Sequence, residues 1–147
     1  MISHRKRVEL NRVNNRAAAP DDAVFLEVKG RAVRGNAAQS MLVWPGIELL
    51  GCVSAERKGI RNGCLYTVES IDVPSETLRL AGVGDVTFDQ AKAWLRLSYA
   101  QTYASCQGTE FAGSLRLHDC SHKWFSRRHL FVGLSRAKQD AAVSLRD

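Results

Sequence analysis

The 147-residue sequence predicts an α/β domain interrupted by a small β unit, from three observations. Strand-like and helix-like runs alternate from Thr87 to the end of the chain, the pattern of an α/β layer structure. Between Met41 and Val86, several short β-like runs follow one another through Gly and Pro turns, which suggests a small meander or barrel instead. Before Met41 lies one helix-forming run followed by one alternating run. These changes of character divide the chain into residues 1–40, the first part of the α/β domain, 41–86, the β insertion, and 87–147, the remainder.

Taken in order, Met1-Ile2-Ser3 reads as the end of a strand leading into a helix over His4–Ala19. Val8, Leu10 and Val13 form its apolar side, and Arg5, Lys6, Arg7, Arg12 and Arg16 outnumber the one acid, Glu9. Ser3 and His4 stand at the strand-to-helix junction, where free backbone N–H groups and the helix dipole attract phosphate. Pro20-Asp21-Asp22 ends the helix. Val24–Gly30 alternates as a strand, and residues 31–40 read as a loop. Strands over Ile47–Val53, Cys64–Ile71, Thr77–Ala81 and Val83–Val86 make the β unit, with Asn62-Gly63 as a tight turn. Arg57, Lys58 and Arg61 give that turn a basic tip. Thr87-Phe88-Asp89-Gln90 is a capping box opening a helix through Trp94. Leu95, Leu97 and Tyr99 alternate with Arg96 and Ser98 as a strand delivering Gln101 and Thr102. A strand at Leu115 and Leu117, a helix capped by Ser126 with Leu130, Phe131, Leu134 and Ala137 as its apolar stripe, and a strand over Ala142–Leu145 complete the chain.

Composition narrows the function. A hydrophobic fraction of 45% excludes wholesale disorder. No apolar run approaches the roughly 18 residues of a membrane span, and Met1 opens a basic segment unlike a secretory signal. The expected setting is soluble and intracellular, in cytoplasm or nucleus, with no membrane partner, or else a start where a longer chain was cut. Cys52, Cys64, Cys106 and Cys120 have no C-x-x-C spacing and read as reduced thiols. His118-x-Cys120-x-His122 has no second ligand pair, so no metal site is expected. The net charge of +6, mostly arginine, favours a polyanionic partner.

Two polar clusters carry residue types suited to chemistry. In one, Thr102, Gln107, Gly108, Thr109 and Glu110 follow the strand from Leu95, where ligands collect beyond the carboxyl ends of strands in an open α/β sheet. A threonine hydroxyl can hold phosphate, Gly108 permits close backbone approach, and Glu110 can accept hydrogen bonds from a sugar. In the other, Ser135-Arg136 sits three residues before the predicted end of an apolar helix. Such an arginine needs an anion: an acid such as Asp119 or Asp140, or the charge on a transferring phosphoryl group.

The motif order resembles that of superfamily 1 helicases. YAQTYASCQGTEF is similar to their motif V, y-A-x-T-x-H-x-x-Q-G-x-E, and LFVGLSRAK to motif VI, l-Y-V-A-l-[ST]-R-A. ISHRKRVELN is similar to motif IV. PGIELLGC and GIRNGCLYTVESID resemble the small 2B barrel of the RecD-like branch, where an N-G-x-x-G-x-V turn recurs. The resemblance covers nearly the whole chain. It implies a partial RecA-like second motor domain (2A, P-loop NTPase type) with an inserted small β-barrel. Thr102 would contact a single-strand phosphate, with Ser3 and His4 bordering the nucleic-acid track. Gln107, Gly108 and Glu110 would lie on the nucleotide side, and Arg136 would be the arginine finger. The family's motif V histidine falls at Ala104, and its motif VI tyrosine and alanine at Phe131 and Gly133.

No G-x-x-x-x-G-K-[ST] phosphate loop occurs in the chain, nor an Asp-Glu pair on an apolar strand. In superfamily 1 enzymes both lie on the preceding RecA-like domain. The resemblance thus implies that ATP with Mg²⁺ is held by an upstream ATPase domain and that this chain alone does not hydrolyse ATP. Its other partner would be single-stranded DNA, or RNA. The competing reading is a degenerate or standalone nucleic-acid-binding module that uses the basic helix and hairpin without nucleotide. A free-standing hydrolase has no Ser–His–Asp or Cys–His spacing in its favour.

Overall fold

In the computed structural model, which describes residues 3–29, 38–106 and 109–147, the first helix turns a polar face inward. This helix, α1 (His4–Ala18), buries Arg7, Asn11 and Asn15, four residues apart, while Val13 is 52% exposed. The apolar face expected from Val8, Leu10 and Val13 is therefore not the one that packs. Each asparagine grips a backbone amide pair instead. Asn11 accepts from Ala100 N at 2.7 Å and donates to Ala100 O at 3.2 Å. Asn15 accepts from Leu42 N and donates to Leu42 O, both at 2.8 Å. A primary amide carries one acceptor and two donors, so it satisfies a peptide unit as a neighbouring strand would. Gln39 adds a bond to Val8 O at 3.1 Å.

The chain divides into two compact units, residues Val8–Ala100 and residues Met1–Arg7 with Gln101–Asp147. The division falls inside α1 and at residue 100. The asparagine and glutamine bonds explain this, since they tie residues 8–42 to the β-rich part of the chain.

In the unit Val8–Ala100, β1 (Val24–Leu26) pairs antiparallel with β2 (Met41–Val43). β1 is shorter than the run Val24–Gly30 that alternation suggests. A second, antiparallel sheet contains β3 (Glu48–Gly51), β4 (Leu65–Asp72), β5 (Thr77–Leu80), β6 (Gly84–Thr87) and β7 (Leu95–Leu97), in the order β6-β5-β4-β3-β7. α2 (Phe88–Trp94) lies between β6 and β7, and its Thr87–Gln90 capping box forms as expected, at 3.2 and 3.0 Å. Leu49, Val68, Leu78 and Leu97 are fully buried, because alternation sends every second side chain of each strand inward, and Leu50, on the opposite face of β3, is buried as well. The strand from Leu95 joins this antiparallel sheet as the edge partner of β3, not a parallel α/β sheet. Arg96, on the side that alternation assigns to solvent, is 1% exposed, and burial lowers its pKa.

The Arg57, Lys58 and Arg61 tip is exposed, as the turn chemistry suggests. Gly63 takes the positive φ (83°) that the Asn-Gly turn requires. The Tyr66 hydroxyl stitches the loop by accepting from Arg61 N at 2.8 Å and donating to Gly59 O at 3.0 Å. Gly51 admits no side chain, since a Cβ there would lie 2.1 Å from the Arg61 carbonyl oxygen.

In the other unit, β8 (Ser114–Leu117) and β9 (Ala142–Leu145) pair in parallel, with α3 (Arg127–Leu134) in the crossover that parallel strands require. Within α3 the buried residue is Gly133, where a Cβ would come within 2.7 Å of Leu117 Cδ2 and 3.2 Å of Tyr103. Phe131 and Leu134, expected in the inward stripe, are 71% and 47% exposed. The close approach at Gly133 selects which face packs. Tyr103, Phe125 and His129 form an aromatic cluster, with centroids 5.4 to 5.9 Å apart.

Candidate functional site

The two polar clusters, separate in sequence, meet in the unit that holds β8 and β9. Phe111 N donates to Arg136 O and Lys138 N to Phe111 O, both at 2.8 Å, forming a parallel bridge between Phe111 and Ala137. Glu110, exposed, and Arg136, half-buried and in the turn that follows α3, therefore each stand one residue before the bridge.

Arg136 lies just beyond α3 rather than inside it, because the helix ends at Leu134 with Ser135 as its C-cap. Its Nε and Nη2 reach Ser135 Oγ at 3.4 and 3.3 Å, long contacts for a guanidinium. Among the described residues, no carboxylate forms an ion pair with Arg136. Asp119, one of the acids expected as its partner, instead holds Lys6 Nζ at 3.0 Å. Nearby, burial raises the Cys106 thiol pKa, and the Arg136 charge opposes that shift only in part. Cys106 is thus a neutral group donating to Tyr103 O at 3.3 Å. All four cysteines are free.

Thr102 is 4% exposed and anchors a turn. Its hydroxyl meets Ser105 Oγ at 3.0 Å and accepts from Ser105 N at 3.2 Å, while its carbonyl accepts from Ser105 N and Cys106 N. Its sequence-based placement beyond a parallel strand has lost its basis, because β7 belongs to the antiparallel sheet. Gln107 and Gly108 lie outside the described residues, as do Met1 and Ile2 of the expected first strand, Gly30 of the expected strand Val24–Gly30 and residues 31–37 of the expected loop.

Ser3 caps α1, its Oγ accepting from Lys6 N at 3.3 Å. Its own N–H donates to Asp119 Oδ2 at 3.1 Å, so this protein carboxylate already occupies one donor of the helix start. His4 follows at the first turn, exposed. The sequence offered Asp119 only as a partner for Arg136, not for the start of α1. Its φ of 63°, rare outside glycine, was invisible in the sequence, although aspartate is among the residues that tolerate it.

The His118-x-Cys120-x-His122 run is not a strand, and the buried His118 Nδ1 has no hydrogen-bond partner among the described residues. His118 O accepts from the Tyr103 hydroxyl, Cys120 Sγ contacts Leu117 O, and His122 Nδ1 accepts from Trp124 N. Burial and the adjacent Lys6 charge lower the His118 pKa, against the opposing pull of Asp119. Tyr103 is shifted upward, chiefly by burial and then by the neighbouring Cys120 and Asp119. Among the described residues, no cluster of His, Cys, Asp or Glu is arranged to hold a metal ion, and no helix is long and apolar enough to cross a membrane.

No family model and no curated protein matches the chain. Solved structures do. Bacteroides Pif1 bound to single-stranded DNA superposes with a TM-score of 0.64 at 18% identity, over 97% of this chain and 39% of that one. The Pif1 helicase from Bacteroides in complex with ADP-AlF3 and single-stranded DNA gives 0.60 at 19%, over 98% and 39%. The Pif1 helicase from Candida albicans gives 0.57 at 13%, over 100% and 44%. The chain thus spans less than half the length of each of these solved helicase chains. At such identities the likeness is one of fold: this mixed α/β chain is built like part of the solved Pif1 structures.

Proposed function

We propose that this chain is the C-terminal motor part of an ATP-dependent DNA helicase of the RecD-like branch of superfamily 1. Residues 1–40 and 87–147 would form a partial RecA-like domain 2A, and residues 41–86 a 2B-like barrel insertion. The observation that carries the reading is the Phe111–Ala137 bridge, which sets Glu110 beside Arg136 while that guanidinium has no carboxylate partner among the described residues. An arginine in this state suits an anionic group brought by another domain, where it would stabilise the charge that develops during phosphoryl transfer. ATP with Mg²⁺, held by an upstream RecA-like ATPase domain, would supply the phosphoryl group. Gln107, Gly108 and Glu110 are assigned to the nucleotide side. Ser3, His4 and Thr102 are assigned to the single-strand track, with Thr102 acting through the turn it orders. Solved Pif1 structures contain single-stranded DNA and an ADP–aluminium fluoride complex, which supports both ligand classes for a protein of this fold.

The chain alone should bind single-stranded DNA weakly, in a salt-sensitive way, and show no ATPase activity. Fusion to a matching upstream domain should create ATPase activity, and Arg136→Ala should lower its turnover by about 10³-fold or more. Wild-type turnover in the fused Arg136→Ala protein would remove the finger assignment. A fused protein without ATPase activity that still binds DNA would favour a binding module.

A further inference from the structure

The unit Val8–Ala100 contains a pocket that none of the motif assignments uses. It has a volume of about 300 Å³ and opens between the second half of α1 and the β1–β2 pair. Arg12 and Arg16, one helical turn apart, line one side, and Phe25 and Ser40 are also in its lining. Met41, Leu42 and Asn15 also line it, and among the described residues the lining contains no carboxylate.

We propose that this pocket is a second single-stranded nucleic-acid site, in which Arg12 and Arg16 take backbone phosphate and Phe25 stacks on a base. Both arginines are exposed, and among the described residues neither forms an ion pair. Two guanidiniums on one helix face provide planar forks for phosphate oxygens. Phe25 is 59% exposed, so its side chain is open to a ligand beside the two cations. A flat apolar face next to paired arginines suits a nucleotide, whose base has a π-face and whose phosphate has charge. An acidic peptide would use the arginines but has no need of the ring. The Ser40 hydroxyl oxygen already accepts from Val28 N at 2.9 Å, leaving its proton to donate to a phosphate. The walls are held in place independently of any ligand: Asn15, between the two arginines on α1, is fixed to both backbone groups of Leu42.

The site goes beyond the helicase reading, whose strand contacts are Ser3, His4 and Thr102, and does not depend on it. Failure of that reading appears in the ATPase of the fused protein. Failure of this one appears in binding by the 147-residue chain without nucleotide.

The test is fluorescence anisotropy of a labelled oligothymidylate about 12 nucleotides long, against an abasic phosphodiester of equal length. The double variant R12A/R16A should lose about tenfold or more in affinity, and its salt dependence should fall by roughly 1.4 in log–log slope. Phe25→Leu should weaken oligothymidylate binding by about tenfold and leave the abasic strand unaffected. Circular dichroism establishes that the variants are folded. Photocrosslinking of an iododeoxyuridine-containing strand to the unmodified chain, mapped by mass spectrometry, should mark Phe25. The proposal is overturned if the chain does not bind oligothymidylate, if R12A/R16A binds like the parent, if the abasic strand binds equally well, or if crosslinks fall only outside the pocket. Equal competition by polyglutamate would likewise overturn it, in favour of an acidic-peptide surface.

Discussion

The two units differ in where their apolar residues go. In Val8–Ala100, the strands of the five-stranded sheet close over a continuous core of Leu49, Val68, Leu78, Leu80, Leu95 and Leu97, each 0 or 1% exposed. In the unit containing β8 and β9, Trp124, Phe131 and Leu145 remain 66, 71 and 58% exposed, and Leu117 and Tyr103 provide much of the local burial. The unit with the recognisable motifs is the one with less apolar burial among its described residues. The unit with the continuous core carries no motif chemistry beyond its basic surfaces. With less apolar burial, that unit draws more on specific polar anchors such as Ser3–Asp119–Lys6.

Core truncation should separate the units most widely. Leu49→Ala, at 0% exposure, should cost about 2–5 kcal/mol. Leu134→Ala, at 47% exposure, should change stability by no more than about 0.5 kcal/mol. Urea denaturation followed by circular dichroism reads both, and equal losses would erase the contrast. Next in size is Asn15→Ala, which strands the N–H and C=O of Leu42 and should cost about 2–3 kcal/mol. Hydrogen exchange should show the Leu42 amide losing protection. Unchanged exchange would mean that the asparagine does not hold the strand edge. Asn15→Asp should not rescue, because a carboxylate cannot donate to the Leu42 carbonyl.

Gly133→Ala should cost about 1–3 kcal/mol, since its methyl group meets Leu117 at 2.7 Å and the leucine must move. A neutral thermal shift there would show that α3 is free to lift. The smallest effect concerns pH. The folded His118 pKa lies below its ordinary value of 6.5, so the unfolded chain binds the proton more readily. The stability associated with neutral His118 is present above pH 6.5 and is lost as pH falls through the lower folded pKa. His118→Gln should flatten the acid side of a denaturation profile slightly. A profile identical to the parent's between neutrality and mild acid would remove His118 from the pH response.

Local chemistry carried over from sequence to structure wherever neighbours in the chain decide the outcome. The Thr87–Gln90 capping box, the Asn62–Gly63 turn and the strand Ala142–Leu145 all depend on residues within a few positions of one another. The inward face of α1 was illegible for the opposite reason. Asn11 and Asn15 are ordinary solvent residues by composition, and only backbone groups 89 and 27 positions away make them buried anchors. The apolar stripe of α3 misled because hydrophobicity does not specify which face packs; the absence of a side chain at Gly133 allowed the closest approach.

The sequence by itself determined the order of most elements, with β2 the exception, the basic surfaces and the two polar clusters, because residue type and spacing encode them directly. Tertiary structure alone decided that Leu95–Leu97 joins the antiparallel sheet, that Asp119 occupies the start of α1, and that Glu110 and Arg136 become neighbours. Each of those outcomes depends on hydrogen bonds between residues far apart in the chain. Backbone donors and acceptors are the same at every residue, so their long-range pairing leaves no mark in the sequence.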